Sequence, residues 1–355
     1  MRESEPAGFA WSGVGSVVSD NSADLPPEAE RETVRETTAD LCVCDSLSRW
    51  KARWGIGRMN YRVHPGLYRL ATPDENSPVL VTANYKMTFD LLRRELKGLS
   101  AWILVLDTNG INVWCAAGKG TFGTEELVRR IRSAGLERFV KHRTLVLPQL
   151  GAPGVAAHAV KKETGFRVKY GPVYARDVNR FLADGMRIID PEMRRVRFNL
   201  TDRLALTPME IIPALKFFPG IFVILVLLRL AGGSGLNAGF WRELAVYLGA
   251  IAVGTTLVQA LLPWIPGRSF TWKGWLLGAL WTAAAAALFH TDAWTTASSL
   301  LVAPMLSGFI ALNFTGATTF TSLSGVKKEM KFAVPAMIAS AALGVVIRIV
   351  SLFLT

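Results

Sequence analysis

Cysteine is scarce in this chain: 355 residues contain only Cys42, Cys44 and Cys115. Three thiols cannot hold a four-cysteine iron–sulfur cluster, and nothing in their placement indicates a disulfide framework. Lysine is missing altogether from Met1 to Asp45, where 3 arginines face 10 acids among scattered Ser, Pro and Gly. Residues 1–45 are therefore expected to form an acidic, largely disordered tail, since such a composition buries no core. The tail also lacks a basic stretch followed by an apolar one. No cleaved secretory signal is expected, and the amino end is assigned to the cytoplasm. Despite a net charge of +12, no helix-turn-helix, zinc-finger or aromatic RNA-binding pattern is present, so nucleic acid is not expected as a partner.

Half of the residues are hydrophobic and 19% are charged, too apolar for an ordinary soluble enzyme and too charged for a purely membrane protein. Two parts follow. Ser46 to Met209 carries 28 Lys and Arg against 14 acids, a surface suited to anionic lipid headgroups and other anions. Within it, residues 46–190 read as a cytoplasmic domain and 191–210 as a basic linker. From 211 to 355 five apolar spans are predicted: Ile211–Ala231, Phe240–Trp264, Thr271–His290, Trp294–Phe314 and Phe332–Leu354, each about the 20 residues needed to cross a bilayer. Arg194, Arg195, Arg197 and Arg203 before the first span, Arg268 and Lys273 between the second and third, and Lys327, Lys328 and Lys331 before the fifth are placed on the cytoplasmic side. Five spans leave Thr355 outside. Gly274 with Gly278, Ala250 with Gly254 and Ser340 with Gly344 read as helix contacts, and Arg348 as a side chain snorkelling to the outer interface. The spans lack the run of acids that a transport path needs.

Residues 46–190 alternate strand and helix signals: Pro78–Ala83 then Thr88–Lys97, Trp102–Leu106 then Thr124–Ala134, Thr144–Leu147 then Val155–Glu163, Phe166–Tyr170 then Ala175–Ala183. The fold class is thus α/β, a Rossmann-like, mostly parallel sheet, followed by an all-α membrane domain. Cys115 lies on a glycine-flanked turn between a strand and a helix that Thr124 is expected to cap, the region where such folds bind ligands. Most free cysteines are simply small buried apolar residues. Against that stand the nearby glycines, which let a flat ligand approach the backbone, and Lys119, which favours a thiolate. The segments Thr82–Lys86 and Pro148–Gly154 join the Cys115 loop at the carboxyl edge of the sheet, so three loops are expected to converge on one crevice.

The segment Leu106 to Leu127 (L-D-T-N-G-I-N-V-W-C-A-A-G-K-G-T-F-G-T-E-E-L) closely resembles the cap-helix motif of the corrinoid proteins of microbial mercury methylation, the HgcA type. Ser77–Asp90 and Leu147–Pro172 look like the corrinoid domain of the corrinoid iron–sulfur protein of the acetyl-CoA pathway, and the resemblance spans Tyr61 to Asp190. It implies a corrinoid (cobalamin) cofactor held by Thr82, Asn112, Val113, Trp114, Cys115, Ala116, Ala117, Gly118, Lys119, Gly151 and Gly154, with Cys115 as catalytic residue and cobalt ligand. Asn112 is expected to bond loop backbone and Trp114 to pack, whereas Lys119 can equally be a solvated or capping residue.

The implied activity is a corrinoid-dependent methyltransferase that passes methyl from cobalt to Hg(II). A thiolate is a soft, strong donor, and placed below cobalt it favours release of methyl as an anion or radical, which an electrophile such as Hg(II) requires. With no iron–sulfur cluster in this chain, the resemblance supplies a two-cluster ferredoxin (HgcB type) as electron donor. A methyltetrahydrofolate-derived methyl group, delivered directly or by a donor protein, is the source. Cys42 and Cys44 can bind Hg(II) linearly or be incidental thiols of the tail. Two other classes compare: a membrane-anchored corrinoid methyl carrier of one-carbon metabolism, which needs no cysteine below cobalt, and a corrinoid sensor or transporter, which needs more polar spans. The implied location is the cytoplasmic membrane, multi-pass and in contact with lipid, with the amino-terminal domain cytoplasmic and the carboxyl terminus outside.

Overall fold

The computed structural model describes residues 33–315 and 323–354. Its amino-terminal half is built on one six-stranded sheet, β1 (Arg35–Thr37), β2 (Gly66–Leu70), β3 (Val79–Ala83), β4 (Ala101–Leu106), β5 (Thr144–Leu147) and β6 (Arg167–Tyr170), in the order β1-β2-β4-β3-β5-β6. All neighbours are parallel except β2 and β4. β3 and β4 are apolar at every position but Thr82 and buried on both faces, as strands covered by helices on both sides must be.

Side chains alternate across the sheet. Val79, Val81, Leu104 and Leu106 face α4 (Thr124–Ala134) and α5 (Ala157–Thr164), packing with Leu127, Ile131 and Val160. Leu80, Ile103 and Val105 face α2 (Lys86–Glu95) and α6 (Val178–Ala183), packing with Phe89, Leu92 and Phe181. The β3–α2–β4 crossover therefore runs on one face, and the return to β5 runs on the other. The strand order reverses between β3 and β5, and the crevice at their carboxyl ends is where such sheets take ligands.

The tail departs from expectation in part. Residues 1–32 lie outside the described residues, but Arg35–Thr37 pairs with β2, and α1 (Val43–Arg53) begins at Cys42. Polar Arg-Glu-Thr carries no strand pattern, so this edge strand forms because β2 offers it a register, with Arg35 opposite Tyr68. Cys42 and Cys44 are joined as a disulfide at the head of α1, and so are not thiols of a disordered tail.

The second half is helical: α7 (Leu200–Leu204), α8 (Thr207–Leu215), α9 (Phe218–Ala231), α10 (Ala238–Ala252) continuing through a π turn into α11 (Val258–Leu261), α12 (Phe270–Phe289), α13 (Ala293–Phe314) and α14 (Leu323–Leu354). Among the described residues, three helices are long and apolar enough to cross a membrane: Ala238–Leu261, Ala293–Phe314 and Gly325–Leu354. Leu200–Leu215 with Phe218–Ala231, bent by 43°, makes up to four. α12, a 20-residue helix that carries Lys273, is not among them, so the predicted count of five is not reached. A Cβ on Gly274 or Gly278 would meet Ser307 O at 2.5 Å or Pro304 Cα at 2.9 Å, so these glycines bring α12 against α13.

Arg348 does not snorkel. It is 9% exposed and donates to Glu243 Oε2 at 3.1 Å and to Thr295 Oγ1 at 3.0 Å. Arg229 donates to the same Glu243 oxygen at 3.0 Å. A buried guanidinium needs a partner, and the carboxylate of α10 supplies one. Breaking a buried pair by removing one member costs about 3–5 kcal/mol. Glu243→Ala, which strands two arginines, is therefore expected to lower the thermal midpoint of the detergent-solubilised chain far more than an exposed substitution such as Lys327→Ala.

Candidate functional site around Cys115

The site is assembled by Asn84, the residue that follows β3. Its side chain is buried, and Oδ1 accepts from Thr108 N (3.1 Å), Thr108 Oγ1 (2.8 Å) and Gly110 N (2.9 Å), while Nδ2 donates to Asp107 Oδ1 (3.0 Å). One amide thus fixes the whole turn leaving β4. Glu126 of α4 reinforces it, accepting from Asp107 N (2.8 Å) and from Arg130 Nη2 (2.9 Å). Leaving buried donors without an acceptor costs about 1–3 kcal/mol. Asn84→Ala is accordingly expected to destabilise the domain by that order, with faster hydrogen exchange concentrated at residues 107–112.

Cys115 lies in a helix, α3 (Val113–Lys119), and not on a turn. Asn112 begins it, its Oδ1 accepting from Cys115 N at 3.0 Å, and Gly120, with φ +83°, ends it. Val113, Ala116 and Ala117 are buried, Trp114 and Cys115 are half-buried, and Gly118 and Lys119 are exposed. Helical periodicity turns Cys115 and Gly118 to the side opposite Val113. Nothing lies within 4 Å of a Cβ built on Gly118.

The helix rests on the loop after β5. A Cβ at Gly154 would lie 2.1 Å from Phe122 O and 3.1 Å from Ala117 Cα, and one at Gly151 would lie 2.5 Å from the Phe122 ring. Gly151 and Gly154 were predicted to meet the cofactor directly, but their bare backbone is used to seat α3 and Phe122. Thr124 does not cap α4, which starts from Gly123; its Oγ1 instead accepts from Ala156 N at 2.8 Å and ties this loop down.

Beneath α3, at the reversal of strand order, a cavity of about 220 Å³ is lined by Thr82, Thr88, Leu91, Val113, Pro148, Pro172 and Tyr174, among others. Thr82 and Val113, predicted to bind the cofactor, both line this inner crevice. Ligand pockets usually span roughly 300–1,000 Å³, so this crevice is small beside them. The outer side of α3 is open and bordered by Gly118, and it carries one half-buried thiol. That donor set, a soft sulfur without charged ligands beside it, fits the cobalt of a corrinoid.

On its far side α2 meets α1. Asp45 accepts from Lys86 Nζ (2.6 Å) and Arg93 Nη2 (2.7 Å), and Asp90 accepts from Lys86 Nζ (2.6 Å) and Arg93 Nε (2.8 Å). Burial opposes the charge on Asp45, but hydrogen bonds from Lys86, Arg93 and the Cys42 amide outweigh it and hold its pKa below 3.8. Burial likewise opposes the charge on Lys86, and Asp45 and Asp90 raise its pKa above 10.5. The Asp45 contribution is full above the unfolded carboxyl value near 4 and is lost as pH falls through the lower folded value. The Lys86 contribution is full below about 10.4 and is lost as pH rises through the higher folded one. Amide exchange in α1 is expected to be flat across neutral pH, at constant intrinsic rate, and to accelerate only below about pH 4 or in strong alkali.

Residues 53–182 match the protein family described as CO dehydrogenase/acetyl-CoA synthase delta subunit. The chain is 32% identical over 155 residues to the acetyl-CoA decarbonylase/synthase complex subunit gamma of Methanopyrus kandleri, covering 41% of this chain and 33% of that protein. It is 35% identical over 151 residues to the corresponding subunit of Methanothermobacter thermautotrophicus, covering 39% and 32%. With the corrinoid/iron-sulfur protein large subunit of Moorella thermoacetica it shares 30% identity over 122 residues, 34% and 27% of the two chains. The α/β domain is related to the corrinoid/iron-sulfur protein large subunit. The matched segment contains the whole arrangement around Cys115, from Asn84 to Tyr174, while this chain spans about a third of the length of the first two relatives.

Sequence reasoning overlooked Asn84 as the organiser of the site. The signal was a polar residue directly after a buried strand, where a side-chain amide is well placed to bond neighbouring turns.

Proposed function

We propose that this chain binds a corrinoid against the outer side of α3, where Cys115 would hold the cobalt through its sulfur, and transfers a methyl group to Hg(II) to give methylmercury. The observation that carries this reading is a half-buried cysteine in the first turn of α3, next to a glycine that leaves the surface open. A bound corrinoid supplies a cobalt that carries a methyl group and releases it to an acceptor. Cys115 contributes a strongly donating sulfur that favours delivery to an electrophile. Asn112 fixes the helix start, Ala116 and Ala117 anchor its inner side, and Trp114 shields one flank. Lys119, exposed at the helix end, offers positive charge to an anionic group of the ligand.

The three cysteines of this sequence are too few for a four-cysteine cluster, which calls for a separate electron donor; the resemblance to mercury-methylating corrinoid proteins implies a two-cluster ferredoxin in that role and methyltetrahydrofolate or a donor protein as the methyl source. The apolar helices hold the domain at the cytoplasmic membrane, with the basic residues 46–209 toward cytoplasm and lipid headgroups.

A second reading, a membrane-anchored methyl carrier of one-carbon metabolism, is favoured by the names of the relatives, which belong to acetyl-CoA-forming or -cleaving complexes. Corrinoid-loaded full-length chain, given reduced ferredoxin and methyltetrahydrofolate, separates the two. Methylmercury formed on adding Hg(II), and dependent on Cys115, supports the first reading. Methyl exchange that is indifferent to Cys115→Ala, with no methylmercury, supports the second.

A further inference from the structure

Cys42 and Cys44 stand at the head of α1 and take no part in the site on α3. Their Cα atoms are 5.2 Å apart and their sulfurs are joined, so both side chains point to one place, exposed to solvent. Ligand atoms of Cys42, Cys44 and Asp45 lie within 4.8 Å of one another. The carboxylate is already engaged, however. Oδ1 accepts from Lys86 Nζ, and Oδ2 accepts from Arg93 Nη2 and, at 3.1 Å, from Cys42 N. What remains for a cation, once the disulfide is opened, is two sulfurs.

That count discriminates between metals. Zinc asks for four ligands and magnesium or calcium for oxygens, whereas a large soft d¹⁰ cation is satisfied by two thiolates. The surroundings suit bound thiolates as well. Asp45 N donates to Cys42 Sγ at 3.1 Å at the start of an 11-residue helix.

The structure assigns to the reduced Cys42–Cys44 pair a capture site for Hg(II), which deepens the proposed function and rests on it. Two small-molecule thiols reduce the disulfide and leave as their own disulfide. Hg(II) then forms two Hg–S bonds and displaces two protons. On α2, Lys86, Asp90 and Arg93 face this site, while Thr88, Leu91 and Leu92 line the crevice beneath α3. The cation is thus held on the same domain as Cys115, on the other side of one helix, and the exposed sulfurs admit exchange with an incoming thiol.

The test uses full-length chain in detergent, reduced and freed of reductant, titrated with HgCl2 in the presence of a competing monothiol. The proteins are Cys115→Ser and Cys115→Ser with Cys42→Ser/Cys44→Ser; mercury X-ray absorption reports the ligands. One equivalent of two-sulfur Hg(II) in the single variant, and at least tenfold weaker retention in the triple one, is expected. Equal retention in both, or coordination by one protein sulfur only, overturns the site. Separately, in wild-type Cys115 background, Cys42→Ser/Cys44→Ser is expected to need several-fold more Hg(II) for half-maximal methylmercury formation, with the plateau rate unchanged. Absence of methylmercury from the otherwise intact protein at every Hg(II) concentration counts against the functional reading, while the titration still decides the capture site.

Discussion

Cys115→Ala is expected to reduce methylmercury formation to background while the chain folds, inserts and purifies as before. The two halves of that expectation have separate causes. Cys115 is half-buried, and the only hydrogen bond described for it uses its backbone amide, which alanine retains. Alanine is the strongest helix former, so the change in α3 should stay within about 1 kcal/mol. Chemistry, by contrast, loses the one soft donor on the outer side of the helix. Cys115→His is informative beside it, because imidazole restores a ligand of weaker donation and leaves the fold equally undisturbed. Methylmercury should not return with histidine. Far-ultraviolet circular dichroism and the thermal midpoint check the fold in each variant.

Gly154→Ala is expected to do the reverse and damage the structure that presents Cys115. The added methyl group would sit 2.1 Å from Phe122 O and 3.1 Å from Ala117 Cα, both main-chain atoms that no rotamer change can move aside. The loop after β5 must shift or α3 must lift, and overpacking of this kind costs about 1–3 kcal/mol. Gly118→Ala is the matched control, since its Cβ meets open space and alanine is favoured over glycine by up to about 1 kcal/mol within a helix. Thermal midpoints should therefore fall for Gly154→Ala and hold or rise for Gly118→Ala. Corrinoid retention should fall in both, in one through loss of the scaffold and in the other through a methyl group on the binding surface. Retention unchanged in Gly118→Ala would remove the outer side of α3 from the site.

Much of the α/β half was legible because its two central strands, β3 and β4, are fully buried. Val79–Ala83 and Ala101–Leu106 read as apolar runs between turn residues, and the parallel order follows from the helices between them. β1 was not legible, since three polar residues become a strand only through pairing with β2. β2 was also missed, a five-residue strand whose antiparallel partner β4 lies across an intervening strand and helix. The helix around Cys115 has no amphipathic pattern to announce it. Asn112 capping one end and a left-handed Gly120 closing the other decide it, and only the resemblance to a cap helix anticipated it. Gly151 and Gly154 were read as ligand-facing because sequence cannot say which backbone a bare glycine admits, and here it is that of Phe122 and Ala117 or the Phe122 ring. Arg348 was misread for a similar reason, as its partner Glu243 is 105 residues away. The link to corrinoid proteins, in contrast, was carried by contiguous segments and is borne out by the match over residues 53–182.

The central claim, that Cys115 would hold the cobalt of a corrinoid through its sulfur, is tested most directly by spectroscopy of the corrinoid-loaded full-length protein. Ultraviolet–visible and electron paramagnetic resonance spectra are compared for wild type, Cys115→Ala and Cys115→His. A sulfur-ligated spectrum in wild type, lost in Cys115→Ala and replaced by a nitrogen-ligated one in Cys115→His, is the expected result. Identical spectra in all three proteins, with corrinoid bound, would contradict it and leave the one-carbon methyl carrier as the function of this domain.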